Sequence, residues 1–505
     1  MATDVVTIPE ETGLETHGIE RVSPATRTHV RILDNFTMWL SANMVISTVA
    51  LGALATTAFG LGFWDSLVII IIFNALGVLP PAFFSTLGPK LGLRQMTISR
   101  FSFGWVGGII TAIFNVGACI GWSAVNVIVG GQLVTTLSNG AVPNWVGILV
   151  IAALTTLVSI YGYRYVHRYE RYAWMPLAVI FIIMLVIGTV GSPHFHAIPT
   201  PAMGAAEIAG LISFGGAVYG FATGWSSYAA DYNVNQPEDT SPARVFWLTF
   251  LGIFIPCVLL ETFGIALTSI TVPASASPTG GTLLGLVLNP LGVFGKVLQV
   301  LLALSIIANN IPNDYSLGLS MQVLGRPFQR VNRAVWTLIG AVIYVLIAIP
   351  AASNFNETLS SFVLLVAYWL GPWAIILILE HFVFRRGKYN ADDWNTRSRL
   401  PIGWAAIVSL VIGLFGAYLG FAQTFFIAQK VSLIPLPLVH ETNAFCSSGT
   451  CGWAITGLVG GLINQPFGMD VGFELGVVLA GIAYLILRRI ELNSGRERAQ
   501  EKVAA

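Results

Sequence analysis

The sequence predicts an all-α integral membrane protein of twelve transmembrane helices, arranged as an inverted repeat of five plus five with two helices appended. Three observations predict it. The apolar residues are gathered in long uncharged runs, the basic residues fall in every second connection, and two runs five apart are interrupted by Gly, Ser, Thr and Asn. Of the 505 residues, 55% are hydrophobic and 10% charged, whereas a soluble domain carries about a quarter charged residues.

The runs centre on residues 36–59, 66–86, 104–135, 145–163, 172–191, 206–230, 243–270, 292–315, 334–351, 358–384, 402–425 and 470–487. Each is long enough to cross a bilayer as a helix, which needs about 20 residues, and helices satisfy their own backbone in lipid. The runs lack the alternation of a barrel strand. Arg21, Arg27 and Arg31 precede the first run; Lys90, Arg94 and Arg100 separate the second and third; Arg164, Arg168 and Arg171 separate the fourth and fifth. The pattern continues through Arg244, Arg326–Arg333, Arg385–Arg399 and Arg488–Lys502, leaving only Lys296 and Lys430 of the 25 Lys and Arg elsewhere. By the positive-inside rule both termini face the cytosol. The expected organisation is a flexible cytosolic N-terminal tail (1–33), a transporter-like membrane domain (34–487, with repeats at 34–191 and 206–384 and the appended pair at 402–487), and a cytosolic C-terminal tail (488–505).

The first run, NFTMWLSANMVISTVALGALATTAFG, and the sixth, GGAVYGFATGWSSYAADY, are thick with small and hydroxylic residues. Either could merely allow close helix packing. In matching positions of two halves, however, such segments point to interrupted helices around a transport site. Because five is odd, the halves have opposite topology.

Within the third run, Trp122 and Asn126 stand four apart and share a helix face, with Gly121 beside the indole. Gly224–Trp225 repeats the pairing in the sixth run, so a flat ring can lie between two indoles, against the alternative that both mark a membrane interface. SIIANNIPNDYS in the eighth run brings Asn309, Asn310 and Asn313 to what reads as the end of an apolar helix. Each carries donors and an acceptor for a ring edge, and Pro312 should free the carbonyl one turn back. Glu261 reads as the only carboxylate clearly inside a run, placed either to bind a coupling ion or to pair with a polar neighbour. Asp34, Glu207, Asp231 and Glu380 are expected at span ends facing water. Cys446 and Cys451, in an outer loop, can form a disulfide or remain free thiols. No nucleotide-binding loop, metal-ligand set or enzymatic constellation is visible, so no catalytic residue, metal or cofactor is expected.

The blocks GACIGWSAVNVIVGGQL, GYRYVHRYERYAW, GFATGWSSYAADYNVNQP and NNIPNDYSLGLSMQVLG, with others along nearly the whole chain, resemble the purine–cytosine permeases of the nucleobase–cation symporter-1 family. The resemblance implies the LeuT-like fold and cation-coupled uptake of cytosine, adenine, guanine or hypoxanthine. It implies that Trp122, Asn126, Gly224, Trp225, Asn309, Pro312 and Asn313 contact or orient the substrate, with Ser41, Asn43 and Ser47 as candidates in the broken first span. Sodium sites of this fold use adjacent hydroxyls on the eighth span; here Ser305 stands alone between Leu304 and Ile306, which favours a proton over sodium. The sequence reading is therefore a plasma-membrane symporter of nucleobases with no nucleic-acid partner, Ser305 and Glu261 being its candidate ion residues. Allantoin, hydantoin, uracil, a thiamine-like compound or an amino acid remain alternative cargoes, and a non-transporting receptor an alternative class.

Overall fold

A computed structural model describes the backbone of residues 18–27, 29–160, 163–191, 193–201, 204–272, 279–425, 439–447, 450–462 and 468–504, with side chains at 163–171, 308, 424–425, 439–447, 450–454 and 495–504 left aside. All twelve expected stretches contain helix. The first is split into α1 (Asp34–Asn43) and α2 (Ile46–Thr57), which meet at an angle of 53°. Met44 and Val45 leave helical geometry at the joint, Val45 being fully extended. Next come α3 (Phe63–Ser85), the short α4 (Leu87–Leu91) and α5 (Gln95–Ile98), α6 (Arg100–Leu137), α7 (Asn144–Ile160) and α8 (Tyr163–Val190). The second half opens with α9 (Ala205–Thr223), which tightens into a 3-10 segment at Gly224–Tyr232. It continues with α10 (Pro242–Leu267), α11 (Gly280–Leu288), α12 (Gly292–Val323), α13 (Arg326–Gln329), α14 (Arg333–Ala351) and α15 (Phe355–Leu379). The appended pair is α16 (Trp404–Gly420) and α17 (Gly472–Ala504).

Packing is reciprocal between the halves. α3 lies on α9 as α10 lies on α1 and α2; α6 packs on α7 and α14 as α12 packs on α14 and α7; α8 lies on α1 as α15 lies on α9. The self-paired contacts α3–α10, α6–α12 and α7–α14 complete the pattern. This is what two copies of one five-helix motif produce when related by a two-fold axis in the membrane plane. Among the described residues, seven helices, or eight with the bent pair, are long and apolar enough to span a bilayer. Their outer faces carry many exposed large apolar side chains, such as Ile182, Val342 and Leu346. A water-soluble protein rarely tolerates such a belt, and acyl chains cover it readily.

The basic connections meet on one face. Arg21 pairs with Asp392 at 2.6 Å, Lys90 donates to the Gly387 carbonyl at 2.9 Å, and Arg385 donates to the Phe101 carbonyl at 2.7 Å. The stretch 18–27 is docked there and is not a free tail: Ile19 is buried, and Arg27 donates to the carbonyls of Val22 and Pro89. The far end likewise departs from the expected tail, because α17 continues to Ala504 and buries Arg488 and Glu491. Three further expectations fail on burial. Asp34, Asp231 and Glu380 are buried and do not face water: His29 bonds Asp34, the Gln95 backbone bonds Asp231, and Tyr484 and Arg488 of α17 bond Glu380. Between α16 and α17 stands an unforeseen antiparallel sheet of β1 (Ala422–Phe425), β2 (Val439–Ser447) and β3 (Thr450–Gly457), ordered β1-β3-β2. Its register sets Cys446 opposite Cys451, but whether they bridge lies outside the described residues.

Candidate functional site

Where the two interrupted helices cross the α6–α12 pair, Trp122, Phe221, Gly224, Trp225, Tyr228, Asn309 and Asn313 line one narrow enclosed cavity. The two indoles, separated by more than a hundred residues in the chain, therefore share a wall. Gly224 is the reason they can. A methyl group in its place would lie 2.9 Å from Trp122 Cζ2, so the indole rests directly on the glycine backbone at the point where α9 tightens. Trp122 is held edge-on by Phe221 and Phe362, with centroids 5.3 and 4.9 Å away. Trp225 stands edge-on to Trp39 at 5.2 Å and to Tyr228 at 5.7 Å. Gly121, expected to make room beside the indole, instead accommodates Phe362: a Cβ there would lie 2.1 Å from that ring.

A belt of amides joins the elements. Trp225 Nε1 donates to Asn43 Oδ1 at 2.9 Å, and Asn43 Nδ2 donates to the Trp39 carbonyl at 2.8 Å. Ser47, just past the break, donates to Asn126 Oδ1 at 2.7 Å. Asn126 Nδ2 in turn donates to Asn309 Oδ1, and Asn309 Nδ2 closes the ring by donating to the carbonyl of Ala42 at the break. Asn313 Oδ1 accepts from the Tyr228 hydroxyl at 2.6 Å, while its amide reaches the Asn309 carbonyl at 3.3 Å. Asn310 Oδ1 accepts from Asn126 at 3.3 Å and Asn313 at 3.4 Å. Every one of these side chains is buried.

Several expected residues behave differently from the sequence reading. Asn309–Asn313 is not a helix end, since α12 runs ten residues past Asn313 to Val323. The amides therefore sit mid-helix, where they are costly unless partnered. Pro312 lends its own carbonyl to the Tyr232 hydroxyl at 2.9 Å. Ser41 is buried with no hydrogen-bond partner for its Oγ among the described residues, unlike Asn43 and Ser47, which are wired into the belt. Ser305 donates to the Leu302 carbonyl of its own helix at 2.7 Å. Glu261 is fully buried and accepts from Asn74 of α3 at 2.7 Å. It is not the only buried carboxylate. Asp314 accepts from Ser123 at 3.2 Å, and Asp231 accepts from the Gln95 backbone at 2.7 Å and from Ser316 at 3.4 Å. Sequence reading missed Phe221 and Tyr228, although their offsets of four and three residues from Trp225 match one helical face.

The cavity's chemistry is set by these facts. Its lining carries no charge at neutral pH, its walls are aromatic, and its polar groups are amides and one phenol. Trp122 Nε1 is buried and has no partner among the described residues. A buried donor left unsatisfied costs about 1–3 kcal/mol, a cost that a ligand acceptor would relieve. Two larger hollows do not compete. One, bounded by Phe114, Leu365, Trp369 and Leu414 with Tyr368 and Gln423 at its edge, and another, bounded by Leu67, Phe181, Leu185 and Phe263 with His196 and Thr262, are mostly apolar and lack the belt of amides.

The model of the permease family for cytosine/purines, uracil, thiamine and allantoin matches residues 22–446. The purine-cytosine permease fcyB of Emericella nidulans is 40% identical over 494 residues, covering 96% of this chain and 90% of the relative. The purine-cytosine permease FCY2 of Saccharomyces cerevisiae is 38% identical, covering 95% and 86%. Among solved structures, the nucleobase-cation-symport-1 family transporter Mhp1, in a closed conformation with bromovinylhydantoin bound, aligns with a TM-score of 0.69 over 94% of this chain and 96% of its own, at 16% identity. That likeness, with the reciprocal packing, makes the fold the LeuT-like inverted repeat of five plus five helices followed by two more.

Proposed function

The chain belongs to the family of permeases for cytosine/purines, uracil, thiamine and allantoin, and from that premise we propose that it imports neutral nucleobases, cytosine and purines such as adenine, guanine and hypoxanthine, together with a cation. The carrying observation is the buried, unpartnered indole N–H of Trp122 on the wall of an uncharged cavity that it shares with Trp225. The base lies against the Trp122 and Trp225 indoles, a contact worth about 1–3 kcal/mol per base in other proteins. A ring nitrogen or carbonyl accepts from Trp122 Nε1, while Asn309 and Asn313 exchange partners within the belt to read the ring edge. Asn126, Asn43 and Ser47 hold the indoles and the broken helix in place, and Gly224 supplies the room. Binding reorganises the joints at Met44–Val45 and Gly224, and the pair of interrupted helices then rocks against α6 and α12 to open the site to the other side. The ion is a proton, in keeping with Ser305, whose hydroxyl is engaged within its own helix. The protein works in the cell membrane with both termini in the cytosol, as its basic connections favour.

A hydantoin or allantoin ring is the second reading, favoured by the bromovinylhydantoin in the Mhp1 structure and by the family's description. Uptake of radiolabelled cytosine and adenine in cells lacking their own permeases separates the two, with unlabelled allantoin and hydantoin as competitors. The Trp122→Ala, Trp225→Ala double variant should lose base uptake at normal surface abundance. Unchanged uptake in that variant removes the stacking role.

A further inference from the structure

We propose that Glu261 carries the coupling proton and that its charge reaches the base through Cys257 and Asn43; this rests on the proton-symport reading above. The broken helix is the usual place for a metal cation, because an interruption frees backbone carbonyls. Here the carbonyls from Trp39 to Asn43 each already accept a hydrogen bond. The Trp39 carbonyl accepts from Asn43 Nδ2, those of Leu40 and Ser41 from the Met44 N–H, that of Ala42 from Asn309, and that of Asn43 from Thr48 Oγ1 at 2.6 Å. Ser305 is likewise engaged with its own helix. A metal ion there would compete with these donors for the same oxygens.

Glu261 offers the opposite arrangement. It is fully buried, accepts one hydrogen bond from Asn74 through Oε2, and has no partner for Oε1 among the described residues. A carboxylate with one amide donor and no basic partner is incompletely compensated in a membrane interior. Protonation at Oε1 removes that charge and keeps the Asn74 bond at Oε2. The ionisable groups of the surrounding elements lie elsewhere. α2 and α11 have none. Asp65 sits at the start of α3, bonded to Thr200, and Asp34 at the start of α1, bonded to His29. Glu207 lies in the first turn of α9, with Tyr219 farther along and stacked on Phe473. α8 carries its ionisable residues within 163–172, at its start. On α10 itself are Arg244, near its start, and Cys257.

Cys257 connects this group to the site. It stands one helical turn before Glu261, on the same face, and its thiol donates to Asn43 Oδ1 at 3.5 Å. The same oxygen accepts from Trp225 Nε1. α10 also touches the outer half of the broken span backbone to backbone: a Cβ at Gly52 would lie 1.9 Å from the Glu261 carbonyl. A change of charge at Glu261 therefore acts on the broken helix and on the residue that aims the Trp225 indole. Two other carboxylates buried near the site, Asp231 and Asp314, are placed differently. Asp231 lies beside Arg94, which donates to its carbonyl at 2.6 Å. Asp314, whose Oδ2 also has no partner among the described residues, accepts from Ser123 of α6 and not from a residue of the broken span.

The test uses the full-length protein in proteoliposomes, with radiolabelled cytosine and adenine and separately imposed proton and sodium gradients. Wild type should concentrate base under the proton gradient. Glu261→Gln should exchange base in counterflow but only equilibrate it under the gradient. Base affinity of the purified wild type should be full at low pH and fall about tenfold per pH unit as Glu261 ionises, the slope for one proton bound with each base. The affinity of Glu261→Gln should be flat with pH. If Glu261→Gln is inert in counterflow, Glu261→Asp, which keeps the carboxyl, must restore proton-driven accumulation; failure of both variants counts against the proposal. Proton-driven accumulation that survives in Glu261→Gln overturns it, and loss of that drive in Asp314→Asn instead reassigns the proton. A wild type driven by sodium alone overturns the proton-symport reading itself, a result distinct from any behaviour of the variants.

Discussion

Gly224→Ala should close the site without unfolding the protein. The backbone at Gly224 is already helical (φ −49°, ψ −34°), so alanine is conformationally acceptable. Its methyl group, however, would lie 2.9 Å from Trp122 Cζ2 and 3.2 Å from Nε1. Non-bonded carbons rest at about 3.5–4.0 Å, so the indole must retreat by roughly 0.6–1.1 Å. Phe221 and Phe362 brace it edge-on, leaving the cavity as the open direction. An inserted methyl in a packed setting costs about 1–3 kcal/mol, and if the ligand's space absorbs it, KM rises about 5- to 150-fold. The assay is initial-rate uptake of labelled base, normalised to surface abundance by labelling of the intact cells. Gly121→Ala is the control: its methyl would strike Phe362 at 2.1 Å, so it should reduce the amount of folded protein more than it changes KM. Unchanged KM in Gly224→Ala, or equal shifts in both variants, would refute the placement of the indole on the glycine.

Trp122→Phe keeps an aromatic ring but deletes the unpartnered Nε1 donor; base affinity should fall about 2- to 13-fold, the worth of one neutral hydrogen bond, with little loss of thermal stability, as read by binding titration and melting of the purified protein. Glu380 accepts from Arg488 at 2.7 and 3.0 Å, from Arg385 at 2.8 Å and from Tyr484 at 2.8 Å, all buried or partly so. Glu380→Gln should therefore destabilise the protein by about 3–5 kcal/mol, the usual result of breaking a buried ion pair from one side. A lowered melting temperature with unchanged KM in the surviving protein is the expected result.

What the sequence made legible depended on scale. The spans, the reciprocal halves and the two weak helices could be read because lipid imposes length, apolarity and charge asymmetry on every segment. Trp122 and Trp225 were also legible, since a tryptophan beside a glycine well inside an apolar run is hard to explain by lipid alone. Partner choice was not. Nothing local tells that Asn309 donates to Ala42 or that Gly121 serves Phe362, because those contacts join residues more than two hundred positions apart. The carboxylates were misjudged for a related reason. Asp231 lies near a span end in sequence, but Arg94 and Gln95 at the start of α5 fold against it, and Asp314 was hidden by an expected helix end that α12 runs straight through.

The placement of charge divides the labour of the site. None of the cavity-lining side chains is charged at neutral pH, yet three buried carboxylates stand behind the wall: Glu261, which reaches Trp225 through Cys257 and Asn43; Asp314, bonded to Ser123 next to Trp122; and Asp231, bonded to Ser316 on α12. A neutral ring needs no countercharge, and a bare carboxylate on the wall would make binding depend on the ligand's own protonation. Setting the carboxylates behind amides and a thiol lets the wall select shape and hydrogen-bond pattern, while ionisation acts by shifting the groups that hold the wall. Substitutions of wall residues should then change affinity by the same factor at every pH. Substitutions one contact back should change how affinity varies with pH and leave competition among bases in the same order.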